Sequence, residues 1–333
     1  MELITPLFIL VVLLVLAAEF INGWTDAPNA IATVVGTKVL SPRVAVVMAV
    51  IGNILGTFAG TAVATTIGKG IVNSSVISLP LIAGAMVSVI AWGFYAARVG
   101  IPVSKSHALI AGLAGAGLAA GGWGALEWSG WQKVLTGLVI SLACGYVLAW
   151  LIGQCIQVCC ARSHARRARK TFNVLQVISA SFMAFNHGMN DGQKFVGVLT
   201  LVLVKGAILA SFNVTWQVVL LCSLTMGLGT ACGGWRILRT LGEKMTRIES
   251  WQGFAAETSA SFMIFGASTF GIPLSTTHTI TTSILGAASS QRMSKIKFGV
   301  VRDILSAWFV TFLICTLIAF DVCTAMLVVL WWL

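Results

Sequence analysis

Charge is what this chain has least of. Of 333 residues, 9% are charged against 58% hydrophobic, and only ten are acidic. A soluble domain carries about 25% charged residues. A soluble globular fold is thereby excluded, and no stretch is long and polar enough to form a separate soluble domain. Histidine is nearly as scarce. The four, His107, His164, His187 and His278, show no HxxxH-type or other zinc spacing. The eight cysteines are scattered, and only Cys155, Cys159 and Cys160 cluster. They fall at an expected helix end, without the further ligands a metal would need, and read as small residues tolerated in a helix. A basic n-region is missing from Met1-Glu2-Leu3-Ile4, so the first apolar run is expected to be a retained span rather than a signal peptide. At the other end, Trp331-Trp332-Leu333 follows directly on an apolar run.

What remains is an integral membrane protein. Apolar stretches fall near 3–22, 43–66, 80–97, 101–120 and 131–158, then near 172–206, 214–234, 251–270, 272–290 and 303–331. A span needs about 20 apolar residues, so about ten membrane segments are expected, five in each half. An odd number per half makes the second half enter from the opposite side. The predicted fold is an all-α polytopic helical bundle of two inverted repeats, residues 1–160 and 172–333, joined by a basic linker, 161–171. The net charge of +11 would suggest nucleic acid in a soluble protein; here it reports topology, and no nucleic-acid partner is expected. With the amino terminus outside, 16 lysines and arginines fall in inner loops and three, Lys69, Lys133 and Lys205, in outer ones. That asymmetry puts both termini outside and the basic loop 161–170 in the cytoplasm of a multi-pass cell-membrane protein. Trp123, Trp128 and Trp131 crowd one outer loop, as an interfacial belt in contact with lipid does.

Two motifs repeat in the same order. Gly23-Trp24-Thr25-Asp26 is matched by Gly188-Met189-Asn190-Asp191, and Pro102-Val103-Ser104-Lys105-Ser106-His107 by Pro273-Leu274-Ser275-Thr276-Thr277-His278. Asp26 and Asp191 are 165 positions apart, His107 and His278 171. The regions 22–29 and 186–194 are rich in Gly and Asn, and the first contains Pro28, so broken helices or re-entrant hairpins are expected there. Proline followed by serine suits a helix start, which places half-helix amino termini at Ser104 and Ser275. Whether 101–120 and 272–290 cross fully is left open.

A charge at membrane depth costs about 2.5–3.5 kcal/mol on insertion scales, so a buried acid marks a site. Asp26, Asp191 and Glu257 are the candidates for a coupling ion or proton; Glu19 and Asp321 lie nearer expected helix ends. The bland alternative is an acid paired with a buried lysine, and Glu257 is open to either reading. Hydroxyls of Ser104, Ser106, Ser275, Thr276 and Thr277, beside helix amino termini, suit an oxyanion. Lys105 and Lys194 add full positive charge. His107 and His278 read either as satisfied helix residues or as part of a cavity or proton path. Together these are the parts of an anion symporter.

At this point the chain resembles the inorganic phosphate transporter (PiT) family, through both repeats, and around Asn186–Lys194 its bacterial low-affinity branch. The resemblance implies inorganic phosphate as substrate, bare or as a neutral complex with a divalent metal, moved by alternating access with proton coupling and no resident cofactor. It places Asp26, Asn29, Asn190 and Asp191 in signature sites and Ser104, Ser106, Ser275, Thr276 and Thr277 around the substrate. The chain departs from sodium-coupled members in Thr25, Pro28, Lys105 and Lys194. A fixed ammonium can replace a bound sodium ion, so the proton is preferred and sodium is the alternative. Sulfate and arsenate are rival oxyanions, and a homo-oligomer is allowed. A passive channel and an intramembrane lipid phosphatase are the readings from other classes. The phosphatase lacks an arginine for phosphoryl transfer, since all eleven arginines fall in loops or ends.

Overall fold

The computed structural model describes residues 6–332, with the backbone alone at Lys295. The expectations attached to Met1–Ile4 and Leu333 lie outside the described residues. The chain is helical throughout: α1 (Pro6–Gly36), α2 (Pro42–Thr57), α3 (Ala62–Gly70), α4 (Leu79–Val99), α5 (Lys105–Gly121) and α6 (Trp128–Cys160) make the first half. The second comprises α7 (Ala165–His187), a π-helical turn (Gly188–Gly192), α8 (Gln193–Lys205), α9 (Trp216–Cys232), α10 (Trp235–Arg239) running into a second π turn (Thr240–Lys244), α11 (Ser250–Thr269), α12 (Thr276–Ser289) and α13 (Phe298–Trp332). In both halves a bent pair of helices comes second, by 68° between α2 and α3 and 61° between α9 and the α10 segment. In both, a short buried helix follows an extended Ile-Pro stretch. Gly100 (φ +80°) and Gly271 (φ +67°) open those stretches in the left-handed region, where a Cβ would be strained.

The apolar surface of the long outer helices faces outward. Phe309, Leu313 and Leu317 on α13 are exposed, as are Leu135, Val139 and Val147 on α6. The interior belongs to α1, α5, α8 and α12, with α5 and α12 rich in small or hydroxyl side chains that let backbones approach closely. Five helices are long and apolar enough to cross a membrane, and up to seven spans result if each bent pair counts as one. The other three of the ten expected segments, α7 with α8, α11 and α12, are helical but too polar, too broken or too short to qualify by that measure. Segment 165–205 begins with a basic run and breaks at the π turn, α11 carries Glu257 among many serines and threonines, and α12 has only 14 residues.

The loops grouped by the charge count are also grouped in space. At one end Lys69 lies 5.2 Å from the Phe212 ring centre, Lys205 donates to the Ser74 carbonyl at 2.9 Å, and Gly70 touches Gly130 at the start of α6. At the other end Arg236 donates to the Arg98 carbonyl, and Lys38, Arg169 and Gln291 line one cavity. The first half starts at the three-lysine end, where Phe8 meets Gly206, and finishes at the basic end with α6. The second starts at the basic end and returns, so that Met326 and Leu330 sit beside Leu7. Trp123 and Trp128 are 82% and 65% exposed at the three-lysine end, as a belt requires.

The first motif does not break its helix. Proline at position 28 removes the hydrogen bond that the Trp24 carbonyl would accept, yet α1 continues to Gly36. From Ala27 to Val34 every α1 residue is buried, against α4, α7 and α9 among others, and that enclosure holds the helix together. The second motif does depart from α geometry, at the π turn. There Gly188 lies so close to α2 that a Cβ would fall 2.2 Å from the Asn53 carbonyl oxygen. Gly188→Ala is therefore expected to push α2 off the π turn, costing about 1–3 kcal/mol as overpacking does. A lowered thermal midpoint of the detergent-solubilised protein measures it; an unchanged midpoint would refute that tight contact.

Candidate functional site

Four elements converge on one buried polar centre: the middle of α1, the π turn with the start of α8, and the first turns of α5 and α12. The helix starts are capped alike. Ser104 Oγ accepts from the His107 N–H and Ser275 Oγ from the His278 N–H, both at 3.2 Å. Their hydroxyl protons remain free to donate. The capped turns bring Lys105, Ser106, Thr276 and Thr277 inward, each 1–3% exposed.

The two motif carboxylates meet there. Asp26 lies 3.5 Å from Lys105 Nζ and accepts from Thr25 at 3.1 Å and Thr277 at 3.4 Å. Asn29 Nδ2 donates to Thr277 Oγ1 at 2.9 Å and to Thr276 Oγ1 at 3.4 Å. Asp191 accepts from Lys194 Nζ and from Thr276 Oγ1, the latter at 2.7 Å. Lys194 also donates to Ser106 Oγ and to the Leu274 carbonyl, the latter at 2.7 Å; Ser106 itself donates to that carbonyl at 3.0 Å. Contacts thus join the halves: Thr277 with Asp26, and Ser106 with Lys194. Asn190 is one step out, donating to Ser268 Oγ at 2.9 Å. All nine substrate candidates and both motif acids lie in this centre or against it. The bland expectation, acids paired with buried lysines, is also realised for Asp26 and Asp191.

His187 adds a component the sequence did not single out. Its Nδ1 faces Asn53 Oδ1 at 2.9 Å, while the Asn53 amide nitrogen donates to Thr230 at 2.9 Å. In that orientation the proton sits on Nδ1, since the amide oxygen only accepts. Nε2 then faces Asp191 Oδ2 at 3.2 Å, lone pair against carboxylate unless a proton or cation lies between them. Ligand atoms of Asp26, His187 and Asp191 lie within 4.8 Å of one another. They could ligate a divalent ion, but Lys105 and Lys194 already hold the two carboxylates, so a bare cation is poorly served.

Glu257 lies apart. It is fully buried on α11 and held by the hydroxyls of Thr33 and Ser179, with Gln176 beside it. Among the described residues it forms no ion pair, so it is not a lysine partner. Glu19 is buried in mid-helix, bonded by Asn22 Nδ2 at 3.0 Å, which corrects its placement near a helix end. Asp321 is exposed on α13. His107 and His278 touch each other (ring centres 4.3 Å) and stack on Phe312 and Trp308 at 4.5 and 3.6 Å. Their described ring contacts are aromatic, and His107 Nδ1 and both ring nitrogens of His278 are buried without a hydrogen-bond partner among the described residues.

A signal for the wider site was present along α1 and the residue after it. Glu19, Asn22, Asp26, Asn29, Thr33 and Thr37 recur every three or four residues, which is one face of a helix. Thr33 and Thr37 on that face reach Glu257 and Gln176.

Helices interrupted or begun at membrane depth, around a buried centre of balanced charge, define a membrane carrier. The profile of the Phosphate transporter family matches residues 22–167 and 159–319. A protein of Rhizobium meliloti (strain 1021), described as a probable low-affinity inorganic phosphate transporter, is 40% identical over 92% of each chain. One of Bacillus subtilis (strain 168), with the same description, is 38% identical over 93% of this chain and 94% of its own. A solved structure described as "The sodium-dependent phosphate transporter" superposes with a TM-score of 0.86 over 97% of this chain and 100% of that one, at 21% identity, which bears on the fold alone. The chain belongs to the phosphate transporter family. It is a multi-pass membrane protein of a transporter family, not an enzyme.

Proposed function

We propose that the chain is a proton-coupled symporter of inorganic phosphate. It works by alternating access between two inverted repeats, with both termini outside and the basic end in the cytoplasm. The observation that carries this reading is the pairing of each motif carboxylate with an ammonium, Asp26 with Lys105 and Asp191 with Lys194. An incoming phosphate can take over the lysines, while Ser106, Thr276, Thr277 and the capped helix starts offer donors to its oxygens. A released Asp191 is then free to share a proton with His187, and Glu257 relays it towards the basic end.

Sodium would normally be expected beside such carboxylates. Here the ammonium groups fill that role, which favours the proton, although the solved structure of like fold is named for sodium dependence. The antiparallel course of the two halves and the concentration of positive charge at one end support the repeats and the orientation. Phosphate is favoured over sulfate because a protonated phosphate can donate to a carboxylate, whereas sulfate at neutral pH cannot.

Reconstituted vesicles test the whole reading. An imposed proton gradient is expected to drive phosphate accumulation, and a sodium gradient alone to drive none. Added Mg²⁺ raises the rate if phosphate travels as a neutral metal complex, and sulfate in tenfold excess leaves uptake largely intact. Accumulation that follows sodium and ignores protons would overturn the coupling assignment.

A further inference from the structure

At the basic end, a cavity of about 780 Å³ opens between the loop after α1, the α6–α7 junction and the start of α11. That volume falls within the range of ligand sites and far exceeds one phosphate. Its lining includes two cations from different elements, Lys38 and Arg169, and the neutral polar groups of Thr37, Gln157 and Asn173. Glu249 also lines it, accepting from Trp251 Nε1 at 3.3 Å, so Lys38 and Arg169 leave the lining with net positive charge after that carboxylate is counted. The Asn173 Oδ1 is buried without a hydrogen-bond partner. Lys38 has φ +62°, a left-handed conformation that few residues other than glycine adopt. That conformation closes α1, the Lys38 N–H donating to the Val35 carbonyl and the Val39 N–H to the Val34 carbonyl, and it sets a lysine at the mouth of the cavity where glycine would be easier.

The cavity is one hydrogen-bonded pair away from the carrier's interior. Thr37, in its wall, donates to Gln176 Oε1 at 2.9 Å, and Gln176 lies beside Glu257. Glu257 in turn holds Thr33, one turn of α1 beyond Asn29 in the central site.

We infer that this cavity is a second anion station on the transport route, where Lys38 and Arg169 hold phosphate between the central site and the solution at the basic end. This rests on the phosphate reading above. Two cations at the mouth of a polar cleft raise the local concentration of an anion. The Thr37–Gln176 bond closes the floor, and its release joins the station to Glu257 and the centre.

Cys160 supplies a native reporter, since it lines the cavity and is half-buried. Replace the exposed Cys144, Cys155, Cys159 and Cys232 by serine, leaving Cys160 and the buried Cys222, Cys315 and Cys323. Then compare labelling by an anionic and a cationic methanethiosulfonate. The anionic reagent is expected to be favoured, and Lys38→Gln with Arg169→Gln to lower the anionic-to-cationic rate ratio about tenfold. Millimolar phosphate is expected to slow labelling in the parent and to have no effect in the double variant. Lys38→Gly separates charge from backbone: it is expected to lower the ratio while unfolding at the same temperature or higher. A ratio and a protection both unaffected by the substitutions would overturn the station. Normal uptake without protection defeats the station alone; protection without any phosphate transport defeats the functional reading and leaves the station standing.

Discussion

Asp191→Asn is expected to abolish uphill phosphate uptake, lowering the rate about 100-fold, which corresponds to about 2.7 kcal/mol. Three contacts converge on this carboxylate: Lys194, the Thr276 hydroxyl at 2.7 Å, and His187 Nε2 at 3.2 Å. An asparagine keeps the shape and can still accept from Thr276. It cannot balance Lys194, and it cannot share a proton with His187. Removing one partner of a buried ion pair costs about 3–5 kcal/mol, because the other charge is left uncompensated. Lost uptake in this variant alone could therefore reflect a weakened fold. The double variant Asp191→Asn with Lys194→Gln resolves this, since it buries no unpaired charge. Its thermal midpoint is expected to recover towards that of the parent while uptake stays lost. Uptake that returns together with stability would show that Asp191 is only a counter-ion for Lys194.

How far this site could be read beforehand depends on which residues carried it. The doubled motifs located both carboxylates, both lysines and the hydroxyls of α5 and α12, because a charge at membrane depth is costly enough to be conspicuous. Pro28 was misleading. A proline breaks a helix in isolation, but α1 is enclosed by neighbouring helices, and enclosure is a property of tertiary packing. Three of the ten expected segments fall short of a hydropathy test for a similar reason. Polar helices such as α11 are tolerated only because their serines, threonines and Glu257 face partners inside the protein, which hydropathy cannot register. Asn53 and His187 could not be paired in advance. They are 134 positions apart, and only the close fit of α2 on the π turn brings them together. The polar face of α1 was legible by spacing alone, yet its partners, Glu257 on α11 and Gln176 on α7, required the fold.

Glu257→Gln addresses coupling rather than binding. Glu257 is enclosed by Thr33, Ser179 and Gln176, all neutral, and among the described residues no cation pairs with it. A glutamine imitates the protonated acid, and both hydroxyls can rotate to serve its amide, so the local packing is kept. The proton, however, can no longer be released. Phosphate-for-phosphate exchange across vesicles needs the carrier to reorient loaded, without discharging its proton, and is expected to stay within about twofold of the parent. Accumulation driven by a proton gradient requires that discharge and is expected to fall at least about tenfold, as for an intramembrane acid acting as a proton relay. The two assays use the same vesicles and protein, so a folding defect would lower both alike. Equal loss of exchange and accumulation would make Glu257 a structural residue. Undiminished accumulation would remove it from the proton path and leave Asp191 with His187 as the whole of the coupling site.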